Sequence, residues 1–103
     1  MKFLMEIRMC TKTTNEALKK GTLMKQAKAY VDEVKPEAVY FSISNGKRTM
    51  FMVVNIPSAD KMPEIAEPAW LDWNAEVFVT PVMDGNDFEK ASAGIQKLVQ
   101  RRV

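Results

Sequence analysis

Histidine is absent from the 103 residues, and cysteine occurs once, as Cys10. Without imidazole the chain has no neutral-pH general base of that type, no histidine-activated nucleophile and no histidine ligand for haem or metal. One thiol cannot form an internal disulfide, and it leaves no spacing motif for a transition metal. No acidic stretch has the spacing of a calcium loop. No metal and no cofactor are therefore expected. Neither sign of charge dominates: 15 basic residues against 13 acidic leave +2, so no nucleic-acid partner is expected. No apolar run approaches the roughly 20 residues that cross a bilayer, so no membrane partner is expected either. Glu6 and Arg8 interrupt the opening "MKFLMEIRMC", which argues against a secretory leader. The lone cysteine suits a reducing compartment, and a cytoplasmic location is the expectation. Linkers, repeats and low-complexity stretches are missing too, so residues 1–103 read as one domain.

What is present is strongly patterned. "KFLMEIRM" alternates, with Phe3, Met5, Ile7 and Met9 on one side and Leu4, Glu6 and Arg8 on the other, as in a half-buried strand. Thr13 and Glu16 have capping-box spacing, and a helix is predicted from there to about Lys35, before Pro36. Its apolar stripe is Leu23, Ala27, Tyr30, Val31 and Val34; Lys19, Lys20, Lys25 and Lys28 form a solvated face. Gly21 weakens this helix locally and is read as a kink or a close packing contact.

Residues 38 to 56, "AVYFSISNGKRTMFMVVNI", read as a hairpin closed at Asn45-Gly46, because a tight turn of the favoured hand needs positive φ at both central positions. That turn sets Ser44 opposite Lys47, Ser42 opposite Thr49 and Tyr40 opposite Phe51. One face then carries Val39, Phe41, Ile43, Met50, Met52, Val54 and Ile56, with Arg48 as its only charge. It is the core face.

A second helix is predicted after Pro57-Ser58, placing Met62, Ile65, Ala66, Ala69, Trp70 and Trp73 inward, with a break or kink at Pro68. "AEVFVTPV" is a fourth strand, with Val77 and Val79 facing the core. A last helix is expected from Asn86 or Asp87, with Phe88, Ala91, Ile95 and Leu98 inward and basic residues at its C-terminus. The order is β-α-β-β-α-β plus a C-terminal helix. The fold class expected is α+β: a ferredoxin-like split βαβ arrangement with an antiparallel four-stranded sheet and helices on one face.

The opposite sheet face is then built from Leu4, Glu6, Arg8, Tyr40, Ser42, Thr49, Phe51, Val53, Phe78 and Thr80. Three aromatic side chains there make a large apolar patch for a monomer in water. A second copy of the sheet is the expected cover, giving a homodimer through this face with a semi-closed α+β barrel between subunits. Its interior would suit a small, partly apolar molecule.

The segments "NGKRT", "IAEP" and "WNAEVFVTPVM", in that order, resemble an uncharacterised bacterial family of small dimeric α+β barrel proteins. The resemblance runs from the hairpin to the fourth strand, about half the chain. Relatives of that fold include cofactor-free monooxygenases, muconolactone isomerases and stress-response proteins, so the resemblance implies fold and dimerisation better than chemistry. Haem-degrading members use a histidine for iron, which this sequence lacks.

The expected ligand-binding residues are Glu6, Arg8, Tyr40, Ser42, Thr49, Phe51, Phe78 and Thr80. Glu6 and Tyr40 are the catalytic candidates, Glu6 as acid or base, with Arg8 as an anion or enolate anchor. The competing reading makes Glu6 and Arg8 an ion pair that fixes register, and the aromatics dimer packing. Trp70, Trp73, Glu67 and Cys10 are read as structural. RNA-recognition domains share the strand order, but their third strand offers two aromatics on the open face where this one offers Thr49 and Phe51, and Glu6 and Glu76 place negative charge beside the phosphate track. A small-molecule protein, with oxygenase or isomerase chemistry if an enzyme, and a purely structural or regulatory dimer remain the two classes.

Overall fold

The computed structural model describes all 103 residues. In chain order the elements are β1 (Lys2–Arg8), α1 (Thr11–Lys19), α2 (Leu23–Val34), β2 (Ala38–Ser44), β3 (Lys47–Asn55), α3 (Met62–Trp73), β4 (Glu76–Pro81) and α4 (Gly85–Arg102). A 3-10 turn, Ala59–Lys61, leads into α3. The strands form one open antiparallel sheet in the order β2-β3-β1-β4, so the architecture is α+β.

The β2–β3 hairpin closes as its sequence requires. Asn45 and Gly46 both have positive φ, at 55° and 76°, and the pairs Ser44–Lys47, Ser42–Thr49 and Tyr40–Phe51 lie in register. On the covered face Met5, Ile7, Met50, Met52 and Val54 are fully buried beneath Leu23 and Tyr30 of α2 and Ala69 and Trp73 of α3. Each such side chain contributes roughly 1.5–3 kcal/mol of transfer free energy. The polar tips inside this layer are satisfied: Tyr30 donates its hydroxyl proton to the Ile65 carbonyl, and Trp73 donates Nε1–H to Gln26 Oε1 at 3.1 Å. The two rings meet edge to face at 5.5 Å. Arg48, the one charge on the core face, reaches Thr14 Oγ1 at 2.8 Å and Asn15 Oδ1 at 2.9 Å, which fixes α1 against β3.

Five expectations are corrected, four in the helices and one on β2. The single helix to Lys35 is two helices, because Gly21 adopts φ 75° and the chain turns there. Thr13 and Glu16 form no capping box: α1 begins at Thr11 with Cys10 as N-cap, and the Thr13 hydroxyl instead accepts from Asn74 Nδ2 at 2.9 Å. Pro68 does not interrupt α3. The carbonyl it deprives of a partner belongs to Glu64, which is exposed, while Ala66, Ala69 and Trp73 hold the helix on the core. Finally, Phe88, Ile95 and Leu98 do not point into the core. No residue of α4 is buried, and the principal extents of the chain are 62 × 27 × 20 Å. The helix nevertheless has a strong start, since Asp84 accepts from the Asp87 backbone N–H and Asp87 accepts from that of Asp84.

The core face is covered unevenly. Phe41 and Ile43, read as core residues, are 63% and 78% exposed because β2 is an edge strand and the helical layer stops short of its outer side.

Candidate functional site

The uncovered sheet face is organised in cross-strand rows, because residues paired in an antiparallel ladder point the same way. From β2 to β4 the middle row is Tyr40, Phe51, Glu6 and Phe78. The row toward the β2–β3 turn is Ser42, Thr49, Arg8 and Glu76, with Ser44 and Lys47 beyond it. On the other side lies the row Ala38, Val53, Leu4 and Thr80. The face therefore grades from charged through aromatic to largely aliphatic along the strands. All eight expected ligand-binding residues stand on it.

Arg8 organises the polar end. Its Nε–H donates to Glu6 Oε2, and its guanidinium carbon sits 4.6 Å from the centre of the Phe78 ring. Ser44 Oγ lies 3.5 Å from the same Glu6 oxygen. Both charged side chains are mostly covered, at 24% exposure for Arg8 and 21% for Glu6. Next to them Lys47 Nζ and Glu76 Oε1 pair at 2.8 Å, and the lysine hydrogen bond holds the Glu76 carboxyl below its usual pKa. This second pair was not singled out from sequence. Its signal was the β1–β4 register, which no turn motif specifies.

The other candidates differ in access. Tyr40 is exposed on the edge strand, Phe78 and Thr80 are open, and Phe51 is half-buried. Thr49 is only 2% exposed, and its hydroxyl donates to the Lys47 carbonyl at 2.9 Å. A molecule resting on this face reaches Thr49 only after its neighbours move. Cys10 lies off the face at the start of α1, where its contact with Thr13 lowers the thiol pKa.

The grooves of the single chain lie on the helix-bearing side, and of the expected ligand-binding residues only Ser42 and Thr49 border one of them. One of about 250 Å³ runs beneath α3, between Met5, Met62, Ile65, Trp70, Val77 and Val79. The open face is an unwalled surface and encloses nothing by itself. No helix is long and apolar enough to cross a membrane, and no group of three or more acidic or cysteine side chains is placed to hold a metal ion.

Residues 1–96 match the family described as "Domain of unknown function (DUF3303)". The chain belongs to this family. The match spans every strand and most of α4, which agrees with the expectation of an uncharacterised family. A comparison with curated proteins gives no match. Within this DUF3303 domain, the Glu6–Arg8–Phe78 arrangement is a guanidinium held from one side by a carboxylate and from another by an aromatic face. Such a group can bind an anionic or enolate oxygen if the carboxylate yields it, and Glu6 can exchange a proton with what it then faces.

Proposed function

We propose that this DUF3303 protein binds a small, partly apolar, anionic or enolisable molecule on the open sheet face, in a cavity closed by a second copy of the chain. The observation that carries this reading is the gradient on that face: Arg8 and Glu76 at one end, Tyr40, Phe51 and Phe78 with Glu6 in the middle, and Leu4 and Val53 beyond. A polar anchor next to an aromatic floor is the usual make-up of a small-molecule site. Partial exposure of three aromatic rings on one sheet face supports a covering partner, and twofold pairing of like sheets is the simplest cover. Read from its β4 edge, the strand order is 4-1-3-2, with β1 and β3 central. This supports placing the fold in the ferredoxin-like, dimeric α+β barrel class.

In this reading Arg8 anchors the ligand's oxygen, Glu6 is the proton-transfer group, and Tyr40 is the second acid available on the face. Ser42, Phe51, Phe78 and Thr80 line the ligand, with Thr49 beneath them. Cofactor-free oxygenase and isomerase chemistry both fit, since each needs a confined substrate and a deprotonating group. The other reading is a structural or regulatory dimer without ligand, favoured by the fact that Glu6 and Arg8 already satisfy each other within one chain. RNA binding is disfavoured, because Glu6 and Glu76 sit where a phosphate backbone would pass.

Native mass spectrometry of gently purified protein tests the proposal. A dimer carrying a small molecule that Arg8→Ala no longer retains is the expected result. A ligand-free dimer that also binds nothing from a library of small carboxylates and enols would leave the structural reading in its place.

A further inference from the structure

Two apolar surfaces of this chain have no partner within it. The first is the outer side of β2, where Phe41 and Ile43 are exposed on the helix-bearing face beside Met24 of α2. A groove between α2 and β2 runs along Met24 and Phe41, with Ile43 further along the same strand. One part, about 390 Å³, is lined by Met24, Ala27, Val31, Val39 and Phe41. A second part, about 190 Å³, shares Met24, Ala27 and Phe41 and continues to Met9 and Leu23.

The second surface is α4. Phe88, Ala91, Ile95 and Leu98 recur at alternating intervals of three and four, the stripe of a helix that packs lengthwise against a neighbour. Phe88 is 60% exposed, and Ile95, Leu98 and Val99 are exposed as well.

These two surfaces cannot meet within one chain. β2 and β4 are opposite edges of the sheet, about 14 Å apart at three strand spacings. α4 leaves β4 through only Val82, Met83 and Asp84. The face between the edges is occupied by α2 and α3, joined through Tyr30 to Ile65 and Trp73 to Gln26. A second copy removes the obstacle. When two like sheets pack face to face about a twofold axis parallel to the strands, the β4 edge of one lies over the β2 edge of the other. α4 then begins on the open-face side of that β2 edge, about 10 Å away, and passes round the edge to reach the α2–β2 groove.

The sizes match as well. The exposed parts of Phe88, Ile95, Leu98 and Val99 amount to roughly 350 Å² of apolar surface, and those of Met24, Phe41 and Ile43 to about the same. Two such contacts, each counted on both sides, bury about 1,400 Å², within the range of stable specific interfaces.

We propose that α4 is an exchanged arm, its Phe88-to-Leu98 stripe seated in the α2–β2 groove of a second copy of this chain. The proposal rests on the face-to-face pairing of the proposed function, and its readout is separate from ligand binding. The experiment uses full-length Ile95→Cys in a Cys10→Ser background, carrying a thiol-linked benzophenone. It is refolded with an equal amount of ¹⁵N-labelled chain lacking the probe, and crosslinks are mapped by mass spectrometry. The expected products join the unlabelled arm to labelled residues 23–34 or 38–44. Crosslinks only within the unlabelled chain, hybrid crosslinks confined to α3 and β4, or no hybrid crosslinks overturn the proposal. As a second measurement, Ile95→Glu/Leu98→Glu is expected to weaken dimerisation by roughly 100-fold or more, because it drives two carboxylates into an apolar groove. Unchanged dimerisation overturns the arm while leaving the cavity reading intact. Hybrid crosslinks at β2 in a protein that binds no ligand uphold the arm and overturn the cavity reading.

Discussion

Replacing Glu6 with glutamine separates chemistry from packing on the open face, because it keeps the volume and removes the charge. In one chain Glu6 and Arg8 retain about a fifth to a quarter of their side-chain exposure, so water still screens the pair. Loss of a partly exposed pair costs about 1 kcal/mol or less. In the proposed dimer the opposing sheet excludes that water, and an uncompensated guanidinium costs roughly 3–5 kcal/mol. Glu76 stands next to Arg8 in register and can take part of its charge, but it is already engaged by Lys47, so the compensation is incomplete. The size of the loss therefore reports whether the face is covered. Chemical denaturation of wild type and Glu6→Gln over a dilution series is the assay. The expected result is a penalty of several kcal/mol where the wild type is dimeric, with ligand retention lost there, falling to about 1 kcal/mol on dilution. A penalty below about 1 kcal/mol at every concentration would refute the covered face.

Phe51→Asp is expected to shift the protein toward monomer or unfolded chain, because it puts an unpaired charge in the centre of the face; light scattering against concentration reads this. Gly46→Val should lower stability by about 1–2 kcal/mol through positive φ alone, since no atom lies within 4 Å of a Cβ built there, and an unchanged urea midpoint would refute it. Trp73→Ala removes a buried ring between α2, α3 and the sheet and should cost roughly 3–5 kcal/mol in the same assay. The Asp84 carboxyl is held below its usual pKa, chiefly by the Asp87 backbone N–H. Its contribution to the start of α4 is therefore complete above the unfolded-state value and is lost as pH falls through the lower folded-state value. Acid titration should broaden or shift the Asp87 amide resonance before the core unfolds, and coincident loss of both would contradict this.

The legible parts of the sequence were those governed by local periodicity. Asn45-Gly46 set the hairpin register, and alternation along β1, β3 and β4 sorted core side chains from open-face ones. Helical spacing found Leu23, Tyr30, Ala69 and Trp73. Misread features depended on tertiary competition. Gly21 weakens any helix, but whether it bends or ends one depends on the packing of the segments beside it. Pro68 breaks helices where the freed carbonyl is buried, and the exposure of Glu64 could not be read from its neighbours. On the open face the residues were identifiable by parity, but the contacts were not. Arg8 over Phe78 and Lys47 on Glu76 depend on which strands are neighbours, a long-range fact.

The failures at Phe41, Ile43 and α4 have a common cause. Periodicity says that a face is apolar; it does not say which molecule covers it. Along β2 and along α4 the pattern is an apolar stripe, and the chain's own core, its expected cover, leaves it exposed. Only 15 of 103 residues are buried in the single chain, and seven of its 16 exposed large apolar residues lie on β2 and α4. A folding code written for one chain would leave such residues scattered. In the proposed dimer the stripes of β2 and α4 would be covered between chains. In the same proposed dimer the second copy would roof the open face, with its floor of Phe51 and Phe78 and its Arg8 anchor. Under that reading any ligand and the dimer stabilise each other by mass action, so the protein should melt at a higher temperature with rising protein concentration and with bound ligand alike.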